Sequence, residues 1–308
     1  MADFDPANRR AIVQNFKAVV DHIIDGYKQK EPRASHWVQK DGIQNCWDAR
    51  KDRDNQNKTW KCEIELIEKD GHAIVTITDF GTEGLTGRRL TAKELEKPNI
   101  DKIHRYSRFE NYAFANDNVK NQHLLGSRGR GKFVFHGASK NMAIMWDTLR
   151  DDKEYWLGSR VVEKLDADND FAEGYGAKEI LVDKTKGLVK PLTHVGSRII
   201  ILDPVKEMVD DIADGTMERF ISETWWEIID KFGAKIIVKS RGKSVTVKSF
   251  AALLPCSEMT HTKISRPKTS KEQEVLVKES IPIPDNKYKI KKLYLLYDPN
   301  RTFDDRQR

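Results

Sequence analysis

Apolar residues recur at three-and-four spacing from Asn8 to Gln29, where Ile12, Val13, Phe16, Val19, Val20, Ile23 and Ile24 make one stripe. This predicts a helix opened by Asp5-Pro6 and closing near Gly26. His22 lies within it and reads as a half-exposed helix histidine, because nothing around it resembles a phosphoacceptor signature. After a charged connection containing Pro32, a second helix carries Asp41, Asn45 and Asp48 at i, i+4 and i+7. That spacing stacks the three on one face, while Ile43 and Trp47 point toward a core. Its interior Gly42 costs about 1 kcal/mol against alanine and suits close approach of another backbone or a ligand.

Alternation then replaces the helical period. Cys62, Ile64 and Leu66 alternate with Lys61, Glu63 and Glu65, which predicts a strand with one buried face. Asp70-Gly71 is a hairpin turn, and the return strand, Ala73 to Thr78, delivers Asp79 to its end. From about Thr82 to Arg130 the chain is polar, punctuated by Tyr106, Phe109, Tyr112 and Phe114. A connection of that length reads as a lid.

Beyond Lys132 the pattern predicts a short helix, Phe133 to Ser139, and strands at Met142 to Trp146, Tyr155 to Val162, Glu179 to Val182 and Arg198 to Leu202. One longer helix spans Val205 to Phe232, with Phe220, Trp225, Ile228 and Ile229 in its stripe and Gly233 as its stop signal. Strands Ala234 to Val238 and Ser244 to Val247 flank an Arg241-Gly242 turn, Pro255 to Gln273 reads as a linker, and a last strand covers Lys292 to Tyr297. The fold class is α+β, a mixed sheet with helices layered on one face. The expected domains are 1–233, with the lid at about 82–131, and a smaller α/β domain over 234–308 that reads as the start of something longer.

Composition changes this picture little. The net charge of +6 and pI near 9.0 allow a weak attraction to nucleic acid without demanding it. Cys46, Cys62 and Cys256 form no C-x-x-C pair, which argues against a zinc site or a disulfide framework. No signal segment or membrane-length apolar run stands out, so a soluble cytoplasmic protein is expected.

The chemistry concentrates in glycine-containing segments. Asp79-Phe80-Gly81-Thr82-Glu83-Gly84 closes a strand, and Gly126-Ser127-Arg128-Gly129-Arg130-Gly131-Lys132 opens a helix. A glycine-rich loop feeding a helix N-terminus converges unpaired N–H groups on an anion, and Arg128, Arg130 and Lys132 add positive charge. The second segment fits G-x-x-x-x-G-K of a P-loop, yet Phe133 stands where a Ser or Thr would hold magnesium. Asp79-Phe80-Gly81 spells the kinase magnesium motif, but His104-Arg105 follows it rather than precedes it and lacks the Asp.

Taken in order, the three segments resemble the GHKL, or Bergerat-fold, ATPase superfamily, which includes MutL-type repair proteins, topoisomerase ATPase subunits, heat-shock chaperones, MORC proteins and sensor histidine kinases. Asp41 to Ala49 is similar to the N-box helix, Asp79 to Gly84 to the adenine-side glycine box, and Gly126 to Lys132 to the phosphate-side box. Gly196-Ser197 resembles the Gly-Thr that closes the nucleotide pocket, and the likeness covers roughly residues 8–240. The resemblance implies that Asn45 holds Mg2+, Asp79 accepts the adenine amino group, and Gly81 permits passage of the base. It further implies that Ser197 supports Asp79 through its hydroxyl, that Asp48 braces the pocket, and that the Gly126 to Gly131 backbone wraps the phosphates of ATP.

Two departures from the family pattern bear on function. Hydrolytic members carry Glu where this chain has Asp41, one methylene shorter, as the base for the attacking water. The first box is D-x-G-x-x-G, which places Gly84 one residue late. An acid at position 41 and the short stretch before it favour hydrolysis over histidine-kinase phosphotransfer. Lys239 and Lys243 are candidates for the lysine that a transducer domain offers to the terminal phosphate. The expected protein is thus an ATPase that closes its lid and forms a homodimer on ATP. The wording around Asn45 is most like bacterial phage-defence or nucleic-acid-handling members, so nucleic acid or a protein of the same system is the expected further partner. The alternative is an ATP-binding scaffold with little turnover.

Overall fold

The computed structural model describes residues 20–51, 60–85, 131–161 and 178–250, with four two-residue strands between 277 and 294. The chain divides into two compact units, Met1–Val247 and Lys248–Arg308.

In the first unit seven strands make one mixed sheet: β1 (Lys61–Lys69), β2 (His72–Phe80), β3 (Ala143–Leu149), β4 (Tyr155–Val161), β5 (Gly196–Leu202), β6 (Lys235–Ser240) and β7 (Lys243–Thr246). Their order is β4-β3-β5-β2-β1-β6-β7. Every neighbouring pair is antiparallel except β1 with β6. At the β1–β2 hairpin, Asp70 and Gly71 take φ of 50° and 77°, the left-handed pair that a tight turn between twisted strands requires. Register follows from burial. Cys62, Ile64, Val75, Ile77, Ile199 and Ile201 share one face, while Ile74, Met145 and Ile200 lie on the other.

The first face is covered by α1 (residues 20–28), α2 (Ala34–Asp48), a 3-10 turn (Gly131–Phe133) running into α3 (Val134–Gly137), α5 (Lys206–Asp214), α6 (Thr216–Thr224) and α7 (Trp226–Phe232). Among them α2 packs directly on β2. A Cβ at Gly42 would come within 2.9 Å of Ile77 Cδ1, so the glycine lets helix and sheet approach. Trp37, Val38, Ile43 and Trp47 of the same helix are buried, each large apolar side chain contributing roughly 1.5–3 kcal/mol.

The N-terminus of α2 is completed from a distance. Arg33 before it is extended and offers no side-chain cap. Instead Glu207 of α5 accepts the Ala34 N–H at 3.0 Å, and Asp211 accepts the Ser35 hydroxyl and the Arg33 guanidinium. Two carboxylates thereby face the positive end of the helix dipole.

Several expectations are revised. The predicted helix from Val205 to Phe232 is three helices, because Gly215 turns left-handed at φ 92° and Trp225 leaves helical geometry. Glu179 to Val182, read as a strand, lies in helix α4 (Lys178–Lys184), which packs Leu181 on the second face of the sheet while Ile180 and Val182 stay exposed. Helices therefore cover both faces rather than one. A domain boundary at 234 is displaced as well, since β6 and β7 complete the sheet and the first unit runs to Val247. Most of the predicted lid, the linker and most of the first predicted helix lie outside the described residues.

In the second unit Val277–Lys278 pairs with Leu293–Tyr294, and Ile281–Pro282 with Lys289–Ile290, all in a single antiparallel register.

Removing the tertiary cap gives a direct test of how α2 is held. Asp211→Ala leaves the buried Ser35 hydroxyl without its acceptor, and urea unfolding is expected to show a loss of about 1–3 kcal/mol. Arg33→Ala, whose side chain is 50% exposed, costs under about 1 kcal/mol.

Candidate functional site

The sheet delivers Asp79 to the end of β2 on the face that carries α2, one position past Thr78, which is in register with Arg198 of β5. There the carboxylate is buried, and its Oδ1 accepts the Ser197 backbone N–H at 2.7 Å and the Thr82 hydroxyl at 2.6 Å. Two donors on one oxygen fix the plane of the group, and an ionised carboxylate has room for about four. A Cβ at Gly196 would lie 2.5 Å from the Asp79 carbonyl oxygen and 2.8 Å from Oδ1, so only glycine lets β5 come this near.

Ser197 meets Asp79 through its backbone rather than its hydroxyl, which lies 3.3 Å from Thr148 Oγ1 instead. Thr148 is the hub of the loop that follows β2. It donates to the Gly196 carbonyl at 2.8 Å and accepts the Leu85 N–H at 2.9 Å. Gly84, at φ 78°, sits where a Cβ would meet Thr148 Oγ1 at 2.6 Å and the Leu149 carbonyl at 2.9 Å. The glycine one residue late in the box is therefore the point at which the loop is pinned to β3.

The C-terminal end of α2 is tied to the same loop. Lys51 N–H donates to the Gly81 carbonyl at 3.2 Å, and Arg50 forms a bridge with Thr82. Trp60 Nε1 donates to the Cys46 carbonyl at 3.0 Å and stacks edge-on against Trp47. The Cys46 thiol, in contact with Cys62 and buried, is pushed well above the ordinary thiol range.

Two turns back along α2, Asp41 faces the end of the other glycine segment. A Cβ at Gly131 would lie 2.6 Å from Asp41 Oδ1, so that backbone and carboxylate touch because residue 131 has no side chain. Burial, with the Asp41 charge beside it, drives the Tyr27 phenol of α1 above its usual range. Asn45 follows Asp41 by one turn and is half-buried, and Asp48 is buried.

Asp41 of α2 thus meets Gly131, and the residues just past the helix, Arg50 and Lys51, meet Thr82 and Gly81. Gly126, Ser127, Arg128, Gly129 and Arg130 lie outside the described residues, and Lys132 contributes its backbone to the 3-10 turn. Among the described residues no group of three or more His, Cys, Asp or Glu side chains could hold a metal ion.

On the opposite face Phe80 is stacked by His194, with ring centroids 3.9 Å apart, and Lys61 Nζ lies 3.7 Å from the Phe80 centroid. His194 donates from Nε2 to the Asp79 carbonyl at 3.1 Å, and burial lowers its pKa. Lys239 points to this same outer face, where its Nζ binds Glu63 at 2.6 Å. Burial opposes the Glu63 charge, but hydrogen bonds from Lys239 and Lys61 outweigh it and hold that carboxyl below its usual pKa. Lys239 is therefore engaged on the side of the sheet away from Asp41 and Asp79, and Lys243 sits on exposed edge strand β7.

Thr82, Thr148 and Tyr27 are the residues that sequence reasoning passed over. Thr82 was within reach, as a hydroxyl inside the glycine box. Thr148 and Tyr27 carry no local signal, being a mid-strand threonine and a helix-end tyrosine whose partners are distant in sequence.

No protein-family model matches the chain, and no curated protein does. Among the described residues no helix is long and apolar enough to cross a membrane.

Thr148→Val keeps the shape of the side chain and removes both hydrogen bonds, leaving the Gly196 carbonyl and the Leu85 N–H without it. A loss of about 1–3 kcal/mol is expected in denaturant unfolding. An unchanged midpoint would mean that the loop is held by something else.

Proposed function

We propose that this chain binds ATP and hydrolyses it at the α2 face of the sheet, in the manner of a GHKL ATPase module with a Bergerat-type sheet. The observation that carries the reading is that the helix bearing Asp41, Asn45 and Asp48 touches the end of the phosphate-side glycine segment at Gly131, while Lys51, three residues past the helix, binds the adenine-side loop at Gly81. A carboxylate fixed on one oxygen by Ser197 and Thr82, as Asp79 is, is suited to take a donor from a base such as the adenine amino group. Gly81 and Gly84 shape the loop beside that base. The Gly126 to Gly131 backbone, with Arg128, Arg130 and Lys132, is the anion-binding part of the reading.

In this scheme Asn45 is the neutral oxygen ligand for Mg2+, a hard cation that prefers oxygen. When bound, magnesium supplies charge neutralisation on the phosphates. Asp41 then acts on the attacking water. As the water oxygen bonds to the terminal phosphorus, its proton passes to the Asp41 carboxylate. The bond from phosphorus to the bridging oxygen breaks, and that electron pair leaves with ADP. An Asp in place of Glu sets the carboxylate one methylene back from the reacting water, which points to slow turnover. Lid closure over 82–131 and dimerisation on ATP belong to the same proposal and rest on the resemblance, as does a role as a switch in nucleic-acid handling or antiviral defence. Lys239, bound to Glu63 on the far face, is not assigned a part in it.

Two substitutions separate binding from turnover. Asp79→Asn is expected to weaken ATP binding at least about tenfold by calorimetry, since one hydrogen-bond acceptor at the base is worth about 1.4 kcal/mol or more when its partner is left buried. Asp41→Asn is expected to leave ATP affinity within about threefold while lowering phosphate release by about 100-fold or more. Equal phosphate release by the Asp41→Asn and unmodified proteins would favour the scaffold reading instead.

A further inference from the structure

One contact on Asp79 comes from the far face of the sheet. On the side of β3 the pairing of β5 continues to Gly196, but on the side of β2 it ends at Arg198, opposite Thr78. Beyond that point side chains take over from the ladder. The Ser197 N–H goes to the Asp79 carboxylate at 2.7 Å, and the Asp79 carbonyl accepts from His194 Nε2 at 3.1 Å. A carbonyl can only accept, so the His194 proton sits on Nε2. The same imidazole lies flat on Phe80, with ring centroids 3.9 Å apart and planes 11° from parallel. His194 therefore holds the Asp79–Phe80 peptide at two points, its carbonyl oxygen and the side chain that follows. The next residue is Gly81, whose φ of 73° begins the turn into the glycine box. Gly196, between His194 and Ser197, closes on Asp79 with no room for a Cβ. The short run from His194 to Ser197 thus clasps both the carbonyl and the carboxylate of Asp79.

We propose that His194 is the positioning residue for Asp79, and through it sets the preference of the pocket for adenine over a purine that lacks the amino group. The proposal rests on the ATPase reading of the site. His194 lies on the face away from α2 and acts through Asp79, without touching the nucleotide. A carboxylate reads an amino group only when its oxygen is aimed at the hydrogen, since a hydrogen bond weakens steeply as its angle falls toward about 120°. With Oδ1 held by Ser197 and Thr82, the direction of Oδ2 is set by the backbone that carries the group. Twisting of the strand end at the Asp79–Phe80 peptide would swing it, and the bond and stack from His194 oppose that twist. Burial, with Lys61 and Arg198 adding to it, lowers the His194 pKa. Near neutral pH the ring is therefore uncharged and carries a single proton, the one it gives to Asp79.

The test measures, by calorimetry with magnesium, Kd for ATP and for purine riboside triphosphate, which has no amino group. It compares the unmodified protein with two variants whose folding is checked by thermal melting. His194→Gln keeps an N–H donor near the place of Nε2, and His194→Phe keeps a ring on Phe80 while removing the donor. The unmodified protein is expected to prefer ATP about tenfold, and His194→Phe to cut that preference to about twofold or less. His194→Gln should restore most of it. On the Asp79→Asn background His194→Phe should change the ratio no further, whereas a merely structural loss weakens both nucleotides alike. Should His194→Phe fail to fold, nitrogen NMR of the His194 ring in the unmodified protein decides the bond: the proton is expected on Nε2, and a proton on Nδ1 overturns the role. A preference for ATP that survives His194→Phe, or equal weakening of both nucleotides, overturns the positioning role and leaves the ATPase reading standing. An unmodified protein that binds both nucleotides alike, or neither, overturns the adenine assignment of Asp79, and the positioning role falls with it.

Discussion

Burying the Asp79 carboxylate at the end of a central strand is the constraint around which this sheet is assembled. An ionised group removed from water is strongly unfavourable unless donors surround it. Here two come from widely separated parts of the chain, the Ser197 N–H of β5 and the hydroxyl of Thr82, whose loop is stitched to β3 by Thr148. Gly196 and Gly84 are glycines for one reason, that each lies where a Cβ would collide with this cluster. On the other face Asp147 follows the same rule, its charge opposed by burial and supported by Arg198 and Tyr155.

Helix α2 is the second organising element, and its placement depends on partners it does not carry itself. Acids from α5 complete its start, Gly42 lets its middle settle on Ile77, and Trp60 with the Gly81 loop secures its end. An α-helix fixed at three points presents Asp41 and Asn45 with little freedom, which is what a catalytic or ligand-holding pair needs. The aromatic group of Trp47 and Trp60 and the contact between Cys46 and Cys62 are the apolar back of that arrangement.

Much of this was legible in the order of residues. Alternation placed β1, the Asp70-Gly71 turn placed the return strand β2, and the i, i+4, i+7 spacing put the polar face of α2 on one side. What was not legible had distant causes. Residues 179 to 182 read as a strand because Ile180, Leu181 and Val182 are apolar in a row, yet only Leu181 is buried, in a cluster it shares with Val189 and with residues of β2, β3, β4 and β5. The break at Gly215 was hidden inside a good helical stripe, since the left-handed turn joins two helices with similar apolar faces. The use of the Ser197 backbone in place of its hydroxyl follows from how near Gly196 allows β5 to come, a tertiary fact that no spacing rule encodes.

The central claim is that α2 and the two glycine segments around it form one nucleotide pocket. A crystal structure with magnesium and a non-hydrolysable ATP analogue tests it most directly. The account predicts the adenine amino group within hydrogen-bond distance of the Asp79 carboxylate, the metal on the Asn45 side chain, and the terminal phosphate near Asp41 and Gly131. Nucleotide bound elsewhere on the chain, or bound with Asp79 and Asn45 both remote from it, would contradict the assignment.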